Sequence, residues 1–322
     1  MYKVGIIANP SAGKDIRRLV ASGRLISNQE KANIITRFIR GLVYKGIKDF
    51  YFMPDKSGLF RPSINEFKDQ INANFLDTKY YDGPEQTMYA SKLINKLRCD
   101  CVLVLGGDGT NRLVAKNIGN IPIIPISTGT NNAFPIIIDP TIAGLAAGFY
   151  IKNKDDFKYL IKQYPFLKIV IDKEKKDIAL IDLALSNQNF VGSKAIWDPA
   201  VIDQLYLTQS NPVSIGLSSI GSKLTQIPKD NALMIHFGDP GEKIYAPIAP
   251  GLISDLTIKK WELFSFDRNI NLSDYLGTIA LDGEREIEIY KKNKLQISLE
   301  KRGPWVLDVI ESVKQENLYR TK

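Results

Sequence analysis

Two rhythms of apolar and polar positions divide the chain, and the change comes near residue 150. In the first part, short unbroken apolar runs alternate with stretches whose apolar residues recur every three or four positions. Lys3–Ala8 reads as a buried strand ending at Asn9-Pro10. Over residues 28–45, Ile34, Ile35, Phe38, Ile39, Leu42 and Val43 share one helical face, and Ser27 with Glu30 forms a capping box. Residues 49–53 predict a second strand, closed by Pro54-Asp55, and residues 84–97 a helix with Asp82 as its start signal. Residues 102–105 form a third apolar run that enters a glycine-rich turn. A short helical pattern opened by Thr110 and Asn111 follows, then a proline-bounded strand at residues 121–126. Such alternation predicts a parallel sheet with helices on both faces, a Rossmann-like α/β arrangement.

After Tyr150 the period shortens to two. Alternating runs at residues 167–171, 178–185, 190–196, 233–237, 256–266, 278–290 and 295–299 predict a β-rich half. One helix is expected to interrupt it at residues 198–207, capped by Asp198 with Pro199 in the first turn. The charged stretch 152–158 is the expected linker between an α/β domain over residues 1–150 and a β-rich domain over residues 151–322. A single core usually stops growing at roughly 250–300 residues, so 322 residues favour two domains. A cleft between them is the geometry expected of a small-molecule enzyme.

Composition narrows this picture by exclusion. Apolar residues at 44% and charged residues at 24% argue against disorder. The excess of 43 Lys and Arg over 35 Asp and Glu, giving +8, suits anionic substrates such as nucleotides. No basic stripe interleaved with aromatics is present, so nucleic acid is not an expected partner. Cys99 and Cys101 alone form no zinc set, and the expected compartment is reducing, cytoplasmic by default. His236, the lone histidine, lies in an alternating stretch and reads as a satisfied sheet residue, which makes Ser/His/Asp hydrolysis a poor fit. The longest apolar tract, 121–138, is broken by Pro122, Pro125, Pro135 and a polar run, so no integral membrane segment is expected.

Four loops carry the candidate chemistry. The first, Asn9-Pro-Ser-Ala-Gly-Lys14, places Ser11, Gly13 and Lys14 after the opening strand, at the carboxyl edge of the expected sheet. It lacks the spacer and the hydroxyl residue of a Walker A loop. The second, Gly106-Gly-Asp-Gly-Thr110 followed by Asn111, joins strand to helix. Its amides and the positive helix end suit an anion, and Asp108 adds a carboxylate that makes sense if it meets a hydroxyl or a metal ion. The third, Ser127-Thr-Gly-Thr-Asn-Asn132, offers Thr128, Gly129, Thr130 and Asn131 for phosphate or ribose contacts. In the fourth, Ala280-Leu-Asp-Gly-Glu-Arg285, Asp282 and Gly283 read either as a hairpin turn or as part of a cleft. In the cleft, Asp282 and Glu284 would hold Mg²⁺ or accept a proton.

In this order, NPSAGK, GGDGTN, STGTNN and LDGE resemble the NAD kinase and diacylglycerol kinase superfamily. Residues 9–21 and Ile215-Gly-Leu-Ser-Ser-Ile220 resemble its AcoX branch of ATP-NAD kinase-like proteins. The resemblance covers nearly the whole chain. It implies an N-terminal α/β domain and a β-rich C-terminal domain, with ATP and Mg²⁺ as cofactors at their junction and the γ-phosphoryl group moved to a hydroxyl. It makes Gly106, Gly107, Asp108, Gly109 and Thr110 the nucleotide loop, Asp108 catalytic, and Asp282 and Glu284 an acidic pair serving as base or metal ligand. NAD is the first implied acceptor, through its 2′-hydroxyl. The N-x-G-x-L-G-F-L and TPTGSTAY-like segments of authentic NAD kinases are missing. Gly129-Thr-Asn131 instead resembles the lipid-kinase GTGN, with Asn132 in place of the usual Asp. A lipid or other small-alcohol kinase is therefore the alternative enzyme, and a nucleotide-binding regulatory protein the alternative outside enzymes. The superfamily further implies a homo-oligomer.

Overall fold

The computed structural model describes residues 1–13, 21–23, 25–79, 83–129, 132–188, 196 and 198–319, apart from the side chains of residues 175, 285 and 286. Its first layer runs β1 (Lys3–Ala8), α1 (Asn28–Tyr44), β2 (Asp49–Phe52), α2 (Arg61–Glu66), β3 (Asn72–Phe75), α3 (Pro84–Lys96), β4 (Cys101–Gly106), α4 (Asp108–Ala115), β5 (Ile123–Ser127), α5 (Pro140–Asn153) and β6 (Ile161–Gln163). The second runs β7 (Phe166–Ile171), β8 (Lys175–Ala179), β9 (Asp182–Ser186), β10 (Ile202–Leu207), α6 (Ser218–Leu224), β11 (Asn231–Ala249), β12 (Leu252–Ser265), β13 (Asn269–Leu272), β14 (Gly277–Leu281), β15 (Glu284–Ile289) and β16 (Leu295–Glu300). The chain then returns to the first layer with β17 (Trp305–Leu307) and α7 (Val309–Tyr319).

The first sheet has the order β3-β2-β1-β4-β5-β17-β6, parallel throughout except for β17 against β6. Its buried strands explain the unbroken apolar runs, because both faces are covered. Val4, Ile6, Leu103 and Leu105 pack with α1 and α5, whereas Ile7, Val102 and Val104 pack with α3 and α4. The Ser27 half of the expected capping box is present, with Ser27 accepting the Glu30 amide at 3.1 Å, while the Glu30 carboxylate accepts from Arg37 and Asn33. Residues 161–163 and 305–307 complete this sheet, so it draws chain from both sides of Tyr150. The expected start signal of α3, Asp82, lies outside the described residues.

In the β-rich part, a six-stranded sheet ordered β12-β11-β10-β9-β14-β15 faces a four-stranded sheet ordered β13-β16-β7-β8. Leu167, Ile169, Leu183, Leu185, Ile279, Leu281, Ile297 and Leu299 fill the space between them. The alternating runs at 178–185 and 278–290 are each two strands, broken at Leu180-Ile181 and at Asp282-Gly283. Of the expected strand at 190–196, all but Ile196 lies outside the described residues.

The helix expected at 198–207 is not formed. Asp198 does cap, accepting the Ala200 amide at 3.0 Å, but only over a 3₁₀ turn at Pro199–Val201. The chain then extends as β10 between β9 and β11, with Ile202, Leu205, Tyr206 and Leu207 buried. Pairing on both edges outweighs a local cap signal. Among the described residues, no helix is long and apolar enough to cross a membrane.

Candidate functional site

Winding of the first sheet reverses between β1 and β4, where an open α/β sheet leaves a crevice at its carboxyl edge. Loops one, two and three leave that edge from β1, β4 and β5. In the first, the Asn9 amide donates to the Leu105 carbonyl at 2.9 Å and Asn9 Nδ2 to Thr110 Oγ1 at 3.0 Å. Ser11 donates its amide to Asn9 Oδ1 at 2.9 Å. Beneath the loop, Lys31 of α1 is 0% exposed and donates from Nζ to the carbonyls of Asn9, Pro10 and Ala12 at 3.2, 2.8 and 3.0 Å. Gly13 has φ +77°, and a Cβ there would lie 2.8 Å from the Thr128 carbonyl oxygen, so loop one packs directly against loop three. Lys14, Thr130 and Asn131 lie outside the described residues.

Helix α4 begins at Asp108, two residues before the Thr110-Asn111 start expected from sequence. That places the Asp108 carboxylate at the positive end of the helix. Its two oxygens accept the Ala133 amide at 3.0 and 3.2 Å, and one of them accepts the Phe134 amide at 2.9 Å. Asp108 therefore fastens the chain immediately after loop three. Loop two is tied in as well, with Asn111 donating from its amide and from Nδ2 to the Gly107 carbonyl at 3.1 and 2.9 Å, and Thr128 donating to the Gly106 carbonyl at 3.2 Å. The Asn132 side chain sits 2.9 Å from where a Gly107 Cβ would be and 2.5 Å from that of Gly129, room that only glycine leaves. Asn111 Oδ1 and Thr128 Oγ1 are buried in this cluster without a hydrogen-bond partner, as fits groups that a polar ligand would satisfy.

The fourth loop is a hairpin turn, the first of its two sequence readings. Asp282 and Gly283 have φ of +52° and +76° between paired Leu281 and Glu284. The Asp282 amide donates to the Asp182 carbonyl at 2.8 Å and the Gly283 amide to Asp182 Oδ1 at 2.9 Å. The Asp282 carboxylate accepts the amides of Leu180, Ile181 and Asp182 at 3.1, 2.8 and 3.3 Å, and Arg112 Nε of α4 lies 3.6 Å from its Oδ2. Burial pushes its pKa up from 3.8 to about 6, against the pull of Arg112 and those amides. Arg112 also donates to Asp177 at 3.2 Å, and Asp177 pairs with Lys116 at 2.6 Å.

Glu284 completes the approach of the second layer. Its half-buried carboxylate lies 3.6–3.7 Å from where a Cβ on Gly109 would sit, beside the first turn of α4. Asp108, Asp182 and Asp282 line one crevice with Ala133, Gly216 and Ser218; its volume of about 10 Å³ is roughly the room of one water. The two layers thus meet in a closed seam, and residues 215–218 form one wall of it.

These positions sort the expected residues. Asn9, Ser11, Gly13, Gly106, Gly107, Asp108, Gly109, Thr110, Asn111, Thr128 and Gly129 gather at one sheet edge, with Asp282 and Glu284 brought to them. Asp282 does not fit a Mg²⁺ ligand, because its oxygens already accept three amides and face a guanidinium. Among the described residues, no three His, Cys, Asp or Glu side chains gather closely enough to hold a metal. His236 is a sheet residue on β11, yet its buried Nε2 makes no hydrogen bond, contrary to the expected satisfied state. Burial lowers its pKa.

Sequence reasoning missed Lys31, Arg112 and Asp182. Lys31 shares its helical face with Ile34, Ile35 and Phe38, and Asp182 interrupts the apolar run 178–185, so each left a visible breach of pattern. Arg112 left no such breach.

The family model of the ATP-NAD kinase N-terminal domain matches residues 4–152, and that of the acetoin catabolism protein X C-terminal domain matches residues 165–302. Acetoin catabolism protein X of Cupriavidus necator is 32% identical, over 95% of this chain and 90% of that protein. Among solved structures, yeast NADH kinase complexed with NADH aligns with a TM-score of 0.48 and 13% identity, over 98% of this chain and 86% of the other. An NAD kinase from Archaeoglobus fulgidus in complex with ATP aligns with a TM-score of 0.39 and 12% identity, over 80% and 92%. Matched along nearly its whole length, the chain belongs to the acetoin catabolism protein X family, a branch of the NAD kinase-like proteins.

Proposed function

We propose that this protein is an ATP-dependent kinase that moves the γ-phosphoryl group of ATP to a hydroxyl, with the 2′-hydroxyl of NAD as first acceptor and NADP as product. One observation carries this reading: three loops from adjacent parallel strands meet at the point where the sheet reverses, and Glu284 is delivered beside them. Phosphoryl transfer needs positioning and charge neutralisation more than covalent help. Amides of residues 106–110 at the start of α4, with Asn9 and Thr110, would hold the phosphates, and Lys14 in the sequence adds a cation. Glu284, rather than Asp282, would be the carboxylate beside a Mg²⁺ ion, which would supply charge neutralisation.

Asp108 is the proposed catalytic acid-base group. As the acceptor oxygen bonds to the γ-phosphorus, the bond to the β–γ bridging oxygen breaks, ADP leaves, and the hydroxyl proton passes to the Asp108 carboxylate. Its fixed direction is a form of preorganisation. Asp108 is only 6% exposed, so on this reading the acceptor has to enter at the seam that Asp108 lines. Asp282 then serves as a positioning group.

Incubation with ATP, Mg²⁺ and NAD is expected to yield NADP, and Asp108→Asn to lower the rate by a factor of about 10² or more. A panel of nucleotides, polyols and lipids, read by ATP consumption, separates NAD from another acceptor. Consumption with none of them would overturn the kinase reading. It would favour a nucleotide-binding regulatory protein, a second reading supported by the closure of Asp108 and Asp282 into the seam.

A further inference from the structure

Away from the seam, β6 and β17 at the edge of the first sheet face residues 227–230 across an open cavity of about 690 Å³. That is the size of a small-molecule site. Trp305, Tyr164 and Phe266 give it planar apolar surface, and Lys229 and Lys301 bring ammonium groups, Lys301 Nζ lying 4.5 Å from the Phe266 ring centroid. Lys162 adds a third cation, held by Asp308 at 2.6 Å, and Asp230 is the one carboxylate of the wall among the described residues. Flat rings under a positive rim suit an anion that itself carries a ring.

Three contacts run from this wall to the seam. Gln209 Nε2 donates to the Ala133 carbonyl at 3.1 Å, and the Ala133 amide is one of those that hold Asp108. Tyr164 meets Phe134 edge-on at 5.5 Å between centroids, and the Phe134 amide is another. Thr208 Oγ1 donates to the Leu180 carbonyl at 2.6 Å, in the segment whose amides hold Asp282. Each contact ends on a residue whose backbone amide holds a seam carboxylate.

We propose that this cavity is a second ligand site, taking a small anion with a planar ring, and that its occupancy is transmitted through Gln209, Tyr164 and Thr208 to Asp108 and Asp282. The consequence for catalysis rests on the kinase reading; the binding does not. The test uses the full chain and 8-anilinonaphthalene-1-sulfonate as probe. Saturable binding with energy transfer from tryptophan is expected. The exposed pair Lys229→Glu/Lys301→Glu should weaken it at least tenfold, and Trp305→Phe should keep the binding while reducing the transfer. In wild type, saturation should slow amide hydrogen exchange at residues 133 and 134, and the slowing at 133 should shrink in Gln209→Ala while the Tyr164 contact keeps that at 134. Binding unchanged within twofold in the double Lys variant would overturn the site, and unaltered exchange at 133–134 on saturation would overturn the coupling. Neither readout involves phosphoryl transfer, so failure of the kinase reading leaves both outcomes interpretable.

Discussion

Asp108 and Asp282 are both buried carboxylates held by backbone amides, but they reach that state from opposite architectures. Asp108 stands in the first turn of α4, where a parallel sheet delivers strand ends and helix N–H groups to one edge, and two amides from the chain after β5 close on it. Asp282 stands at the tip of an antiparallel hairpin in left-handed backbone, and its three amides come from the connection between β8 and β9 and the first residue of β9. The parallel layer shapes loops that can meet a ligand, whereas the antiparallel layer ties a carboxylate to its own backbone and offers the next residue, Glu284, to the other layer. Arg112 joins the two, because it rises from α4 and ends beside Asp282 and Asp177. Holding the layers together and presenting the loops are thus separate tasks.

The largest expected effect tests the joint. Arg112 is 1% exposed, and Arg112→Leu leaves the Asp282 carboxylate buried without its cation, at a cost of about 3–5 kcal/mol. Urea denaturation measures it, and adding Asp282→Asn should recover part of the loss. A loss below about 1 kcal/mol, as for an exposed pair, would mean that the amides alone hold Asp282.

Next in size is the support of the parallel side. Lys31→Met removes the ammonium from the three carbonyls of loop one, and should cost about 1–3 kcal/mol. If loop one serves the nucleotide, the apparent KM for ATP should rise more than kcat falls. An unchanged KM would leave Lys31 a purely structural group.

A pH series sharpens the contrast between the carboxylates. The folded-state pKa of Asp282, about 6, lies above its ordinary 3.8, so the folded state favours the protonated form. Its contribution to stability is fully present below 3.8 and is lost as pH rises through about 6. The stability of wild type relative to Asp282→Asn should therefore fall across that window. A difference that rises instead would show Arg112 and the amides outweighing burial.

Legibility followed the range of the forces. Strands β1, β4 and β5 were readable because a strand buried on both faces must be apolar throughout, and the loops after them because glycine and proline punctuate locally. At residues 198–207 the local signal misled: Asp198 and Pro199 do start a turn, but the partners that extend the chain lie on β9 and β11. The same limit applies to the acidic groups. Asp282 was identifiable as a hairpin residue, but its saturation was not, since the amides that take up its oxygens lie about a hundred positions earlier in the chain. Lys31 broke an apolar face visibly, and only the folded loop shows that three carbonyls receive it.

The smallest expected effect on stability is the most selective for function. The atoms nearest to a Cβ on Gly109 would be those of the Glu284 carboxylate at 3.6–3.7 Å, an ordinary contact, and Gly109 lies within α4. Gly109→Ala should therefore leave stability within about 1 kcal/mol of wild type, since alanine also favours the helix. The added methyl nevertheless stands between Glu284 and the first turn of α4, where the kinase reading places phosphate. Phosphoryl transfer should fall well beyond any change in stability, by a factor of about ten if one oxyanion contact is displaced. Full activity with unchanged stability would move the phosphates away from the Glu284 side of α4, toward loops one and three.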